Sequence, residues 1–197
     1  MKNLIKNSLV LVVLFTTLLG NANSSLKISI DETRTTLTLK DVKQGNELSI
    51  KDAYGIILYK ELIQKSGNYV KGFDLTKLPN GSYFFELNKG LEIKTIPFTV
   101  ESTVVHFDKE KATTFYKPVV KSVENKIYVS KLSLNKQLLE VKIYYDYNSG
   151  SYDLIHSETI EDTVNIQRVY KLSKSEKGNY KLVLKTEGRS FIEYLEF

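Results

Sequence analysis

Beyond residue 22 the chain is written in short alternating runs. Leu26, Ile28 and Ile30 share one side of "LKISI", and Leu37 and Leu39 share one side of "TTLTLKDV". In "ELSIK", Leu48 and Ile50 alternate with Glu47, Ser49 and Lys51. A period of two with polar partners predicts strands that bury one face. The runs recur roughly every 8–12 residues between turn-forming Gly, Asn, Asp and Ser, the spacing of an antiparallel sandwich. Pro97, inside "KTIPFTV", lacks a ladder donor and predicts an edge or a bulge there.

The pattern is written twice. "LPNGSYFFEL" (Leu78 to Leu87) returns as "SEKGNYKLVL" (Ser175 to Leu184), and the flanking runs return in the same order. "ILYKELI" (Ile57 to Ile63) corresponds to "DLIHSETI" (Asp153 to Ile160), and "LEIKTIPFTV" (Leu91 to Val100) to "SFIEYLEF" (Ser190 to Phe197). The offset is 94 residues from Asp52 to Asp146 and 97 from Gly81 to Gly178. Such self-similarity is the mark of a duplicated unit, here of roughly 80–90 residues per copy. In each copy a glycine opens the phrase and supplies a turn with positive φ; a tyrosine and alternating apolar residues follow. Gly81, Tyr83, Phe85 and Leu87 match Gly178, Tyr180, Leu182 and Leu184. The arrangement predicts a tyrosine corner, in which the ring packs inward and its hydroxyl bonds upstream backbone. Antibody domains place a cysteine two residues after that tyrosine; here Phe85 and Leu182 stand there, and the chain has no cysteine. The expected fold class is therefore all-β: two tandem immunoglobulin-like antiparallel β-sandwiches, at 23–108 and 109–197. Between them "DKEKATT" (Asp108 to Thr114), without Gly or Pro, reads as a short semi-rigid linker.

Residues 1–22 read as a signal peptide: Lys2 and Lys6, an apolar run from Ser8 to Leu19, then Gly20 and Ala22 at a small-residue cleavage site. Export to the periplasm, cell surface or medium is expected, with an uncleaved anchor as the alternative. No later run is apolar and long enough to span a bilayer. Of the formal net charge of +5, loss of Lys2 and Lys6 leaves +3, with both signs interspersed. That dispersion speaks against nucleic acid as a partner.

The stretch Leu48 to Val100 is similar to the C-terminal sorting domains of the Por, or type IX, secretion system, through Asp52, Gly55, Leu78, Gly81, Tyr83 and Lys94. The resemblance implies an immunoglobulin-like sandwich and a sorting role in which the C-terminal copy directs export.

Catalytic chemistry is scarce. His106 and His156 fall in separate copies and form no metal-ligand spacing, and no nucleophile elbow or phosphate loop occurs. The acidic residues are scattered rather than paired across a predicted cleft. The chain is expected to be no enzyme and to use no cofactor or metal. "KIYYDYNSGSYD" (Lys142 to Asp153) gathers tyrosines in one hairpin, and alternation sends Tyr145 and Tyr147 to the opposite face from Tyr144, so at least one ring is expected to be exposed. Tyr144, Tyr147 and Tyr152 form the candidate binding surface, suited to a protein or glycan partner, or else pair across strands within the sheet. The functional expectation is a non-catalytic binding or assembly module of the cell envelope. A secretion-linked sorting module and a glycan-binding accessory protein are the alternatives.

Overall fold

The computed structural model describes residues 26–31, 34–146, 150–173 and 178–197. The expected signal segment and Tyr147 lie outside these residues. The alternating runs form strands throughout. The first module holds β1 (Leu26–Asp31), β2 (Arg34–Val42), β3 (Glu47–Asp52), β4 (Ile57–Leu62), β5 (Gly67–Phe73), β6 (Gly81–Asn88), β7 (Glu92–Glu101), β8 (Val104–Phe107) and β9 (Thr113–Tyr116). The second holds β10 (Val119–Val123), β11 (Lys126–Leu132), β12 (Leu139–Asp146), β13 (Tyr152–Ile160), β14 (Asn165–Lys171), β15 (Asn179–Thr186) and β16 (Arg189–Glu196).

The duplication holds at the level of topology. A three-stranded sheet of order β1-β2-β5 faces a larger one containing β4-β3-β6-β7; the second module repeats this as β10-β11-β14 and β13-β12-β15-β16. All pairings are antiparallel. Even an irregularity recurs: Leu58 bulges from β4 opposite β3, and Ile155 bulges from β13 opposite β12. Bulged outer strands are poor templates for further pairing, which blunts this edge in both modules. Each module buries its own apolar cluster, the first around Phe85 and Phe98, the second around Tyr180 and Leu182.

Three details depart from the sequence reading. First, the stretch after residue 108 does not open the second module. A short 3-10 turn, Lys109–Lys111, leads into β9, which pairs with β7. The alternating "TTFY" is short, but it finds the free side of β7, so the passage between modules falls at Lys117 and Pro118. Second, β7 is not an edge. β8 pairs with Phe98–Glu101 and β9 with Glu92–Thr95, so Pro97 sits at the gap between them, where no donor is required. Third, register aligns Asp52 with Tyr145 rather than with Asp146. Asp52 faces Tyr83 across β3 and β6, and Tyr145 faces Tyr180 across β12 and β15. Both aspartates still cap their hairpins: Asp52 accepts from the Tyr54 and Ile56 amides, and Asp146 from that of Gly150.

The corner in the first module is closed by the Tyr83 hydroxyl, which donates to the Pro79 carbonyl at 2.7 Å. Tyr83 stacks on Phe98, with centroids 5.5 Å apart. In the second module Tyr180 is buried between Tyr145 and Phe197, at 4.8 and 5.5 Å. The two glycines are not equivalent. Gly81 does not take the positive φ expected of it, and a Cβ there would touch the Tyr83 ring at an ordinary 3.5 Å or more. At Gly178 a Cβ would meet the Tyr145 ring and hydroxyl at 3.1 Å. Gly178 also keeps a positive φ, of 155°, and Tyr145 crowds it because Asp52 occupies the place of Tyr145 in the first copy. Gly178→Ala is therefore expected to destabilise the protein by about 1–3 kcal/mol through overpacking. Gly81→Ala is expected to stay within about 0.5 kcal/mol of the parent. Urea denaturation of the two variants side by side checks the asymmetry.

Candidate functional site

The outer face of the large sheet has a different fate in each module. In the first it is partly covered by the second module. Glu86 points outward from β6, between the core residues Phe85 and Leu87, yet it is only 5% exposed. Lys51 on β3 reaches one of its carboxylate oxygens at 2.6 Å, and Arg189, at the start of β16, reaches the other at 2.8 Å. Beside them Phe115 on β9 stacks almost parallel on Phe191 of β16, with centroids 5.8 Å apart. The Lys131 ammonium and the Arg189 guanidinium lie 4.9 and 5.4 Å from the Phe115 centroid. Lys131 also pairs with Glu187 at 3.1 Å. Burial would raise the Glu86 carboxyl, but its bonds to Lys51 and Arg189 outweigh this and hold it below the usual carboxylate range. Burial, with Arg189 adding repulsion, lowers the Lys117 ammonium, which donates to the Lys89 carbonyl. This junction joins the end of one sandwich to the side of the other.

In the second module the corresponding face is open. Cross-strand register sets Tyr144 on β12 opposite Lys181 on β15, and Lys181 opposite Tyr194 on β16. Tyr152 enters from β13. It starts three strand steps from Tyr194, roughly 14 Å, yet the two rings lean together to 6.2 Å between centroids. The Lys181 ammonium lies 4.6 Å from the Tyr144 centroid and 4.7 Å from that of Tyr152. Both distances are within cation–π range. Tyr194 is 67% exposed, and Leu154 and Ile192 flank the cluster in the open. Of the candidate surface residues, Tyr144 and Tyr152 are thus brought together on one face. Lys181 and Tyr194 had not been singled out from the sequence. The signal was available in the alternation of "YKLVL" and "FIEYL", which sends both residues outward.

A second pair of clusters repeats between modules. Glu61 on β4 accepts from the Tyr69 hydroxyl and the Lys71 ammonium on β5, with Tyr59 completing the group. Glu158 on β13 accepts from Arg168 Nε at 2.7 Å and from the Tyr170 hydroxyl at 2.8 Å, both on β14. His156 lies 4.0 Å from Glu158 and has its ring beside that of Tyr170. In each module the glutamate belongs to one sheet and its cation and a tyrosine donor to the other, so the cluster latches the open seam of the sandwich. Burial raises both carboxyls, but the cation and tyrosine bonds prevail and hold them below the usual range. Burial and the glutamate bond push the Tyr69 and Tyr170 hydroxyls up. Because these carboxyls are lowered on folding, their contribution is complete above the unfolded value of about 4.3 and is lost as pH falls through the folded values. Stability is expected to fall as pH drops below about 4.3. Glu61→Gln/Glu158→Gln should flatten that slope in urea titrations at pH 7, 4 and 3.

Among the described residues are two further surface depressions. One of about 780 Å³ lies over Ser82, Thr99 and His106, walled by residues 108–111. The other, of about 370 Å³, opens at the seam beside His156 and Tyr170. Among the described residues no group of three or more His, Asp or Glu side chains is placed to hold a metal ion. Among them, too, no helix is long and apolar enough to cross a membrane.

No family model matches the chain, and no curated protein matches it in sequence. Among solved structures, the BSP domain of a biofilm associated protein overlaps 87% of this chain and 29% of that chain, at 12% identity and a TM-score of 0.28. A fragment of Escherichia coli alpha-2-macroglobulin spanning domains MG0-NIE-MG1 overlaps 83% and 59% respectively, at 11% identity and a TM-score of 0.28. The human OSCAR ligand-binding domain overlaps 87% and 96%, at 10% identity and a TM-score of 0.25. This chain spans less than two thirds of the first two structures. The immunoglobulin-like assignment rests on the strand order and the corners of this chain, not on these overlaps.

Proposed function

We propose that this protein is an exported, non-catalytic binding module of the cell envelope, with the outer face of β13-β12-β15-β16 as its working surface. One observation carries the reading. The sheet face that the first module gives up to the second stays open in the second, and there it presents Tyr144, Tyr152 and Tyr194 around Lys181. The first module acts as the base, and the Glu86–Arg189 junction sets the direction in which the open face looks. The sorting role implied by the resemblance draws no separate support. Asp52 and Gly55 make the β3–β4 turn, and Leu78, Gly81 and Tyr83 build the corner.

The test is retention of the purified protein on envelope material of its own host, compared with Tyr144→Ser/Tyr194→Ser. The double variant is expected to lose retention at unchanged circular dichroism. Equal retention of the two proteins would overturn the proposal.

A further inference from the structure

We infer that the tyrosine face binds an acidic glycan, a polysaccharide bearing carboxylates, with Lys181 as its charge partner. The inference rests on the proposed binding role and names the ligand class. Among the described residues no carboxylate lies within ion-pair distance of Lys181, whose ammonium is held only by the rings of Tyr144 and Tyr152. Its neighbour on the same face, Lys142, is by contrast neutralised by Glu140 at 2.6 Å. An unneutralised cation at the centre of an aromatic cluster is complementary to an anionic group that brings its own ring-stacking surface. A sugar ring bearing a carboxylate offers both: its C–H face lies on a tyrosine and its charge meets the ammonium.

The polar part of the face suits a glycan. Cores of protein interfaces are depleted in Lys, Glu, Asp and Ser. Polar positions border the cluster on the sides not taken by Leu154 and Ile192: Asn179 and Glu196 lie one step along the face, and Ser157 sits opposite Lys142. Tyrosine suits the sugar as well, since its ring supplies an apolar surface and its hydroxyl a hydrogen bond. A sheet face is also flat and open, so a polymer can lie across it without entering a pocket.

Affinity electrophoresis of the purified protein in gels cast with polygalacturonate or with neutral dextran tests the inference, alongside the envelope-retention assay. Polygalacturonate is expected to retard the protein and dextran to leave it unretarded. Lys181→Gln should weaken retardation roughly fivefold, the upper range for an exposed ion pair. Tyr194→Ser should weaken it about tenfold, whereas Lys121→Gln, on the remote strand β10, should change nothing. Equal weakening by Lys121→Gln would mean diffuse attraction to a basic protein and would overturn the inference. Retardation by dextran that survives Lys181→Gln would overturn the acidic assignment while leaving the binding face standing. Tyrosine-dependent retention on envelope material without retardation by either polysaccharide would do the same. Loss of both signals would remove the binding role with it.

Discussion

Phe85→Ala is expected to remove about 3–5 kcal/mol of stability and to unfold the first module ahead of the second. Phe85 has no exposed surface and is ringed by Phe73, Phe98 and Phe107 at 5.2, 5.4 and 6.2 Å between centroids. It fills the place where an antibody domain would carry half of its disulfide, and no covalent link stands behind it. A sandwich of roughly 85 residues has about 4–13 kcal/mol in total, so one such cavity consumes much of what the module has. The two apolar clusters share no residue. The defect should therefore remain local: hydrogen exchange should quicken in β3, β6 and β7 while β12 and β15 stay protected. Leu182→Ala, in the matching position, should reverse the picture at about 2–5 kcal/mol. Equal deprotection of both modules by either variant would mean that they fold as one cooperative unit.

These two residues also mark how far the sequence could be read. The corner, its inward neighbours and the duplication were legible because each is local, a turn followed by a period of two. The runs from Lys126 onward could be laid over those of the first module in chain order on that basis alone, although β10 was not among them. What escaped were the terms that depend on distant partners. Glu86 reads as an ordinary solvent-facing residue on an alternating strand; its guanidinium partner lies 103 residues further on. β9 is four residues long, too short for alternation to identify, and is fixed only by the side of β7 left open beside β8. Gly81 and Gly178 look the same in sequence and differ because only Gly178 takes a positive φ and only it has Tyr145 packed against it. The seam latches were within reach. Glu61 and Glu158 occupy the same place in aligned runs, although the donors exchange order, Tyr69 and Lys71 in one copy against Arg168 and Tyr170 in the other. An alignment of residue types hides that exchange, whereas an alignment of charges and hydroxyls displays it.

Glu86→Ala is expected to cost about 2–3 kcal/mol, below the roughly 3–5 seen when one partner of a fully buried ion pair is removed. The discount has a structural reason. The carboxylate is nearly inaccessible, but the Lys51 and Arg189 side chains retain 18% and 35% of their exposure and can recover some hydration once it has gone. The loss also divides. Lys51 belongs to the same module, so its share appears as weakened β3–β6 pairing; Arg189 belongs to the other, so its share appears as a looser junction. Arg189→Ala isolates the second share. It removes the bond to Glu86 and one of the two cations over Phe115, leaving the core around Phe85 untouched. Small-angle scattering of Arg189→Ala should therefore show a broader distribution of distances at nearly unchanged melting temperature, and Glu86→Ala should show both changes. A double-mutant cycle between the two should return a coupling of about 0.5–3 kcal/mol. The carboxyl is held low in the folded state, so the coupling is complete above pH of about 4.3 and should vanish as pH falls below it. Independent, additive effects at pH 7 would mean that the two modules are joined only by their connecting chain, and the open tyrosine face would then have no fixed direction.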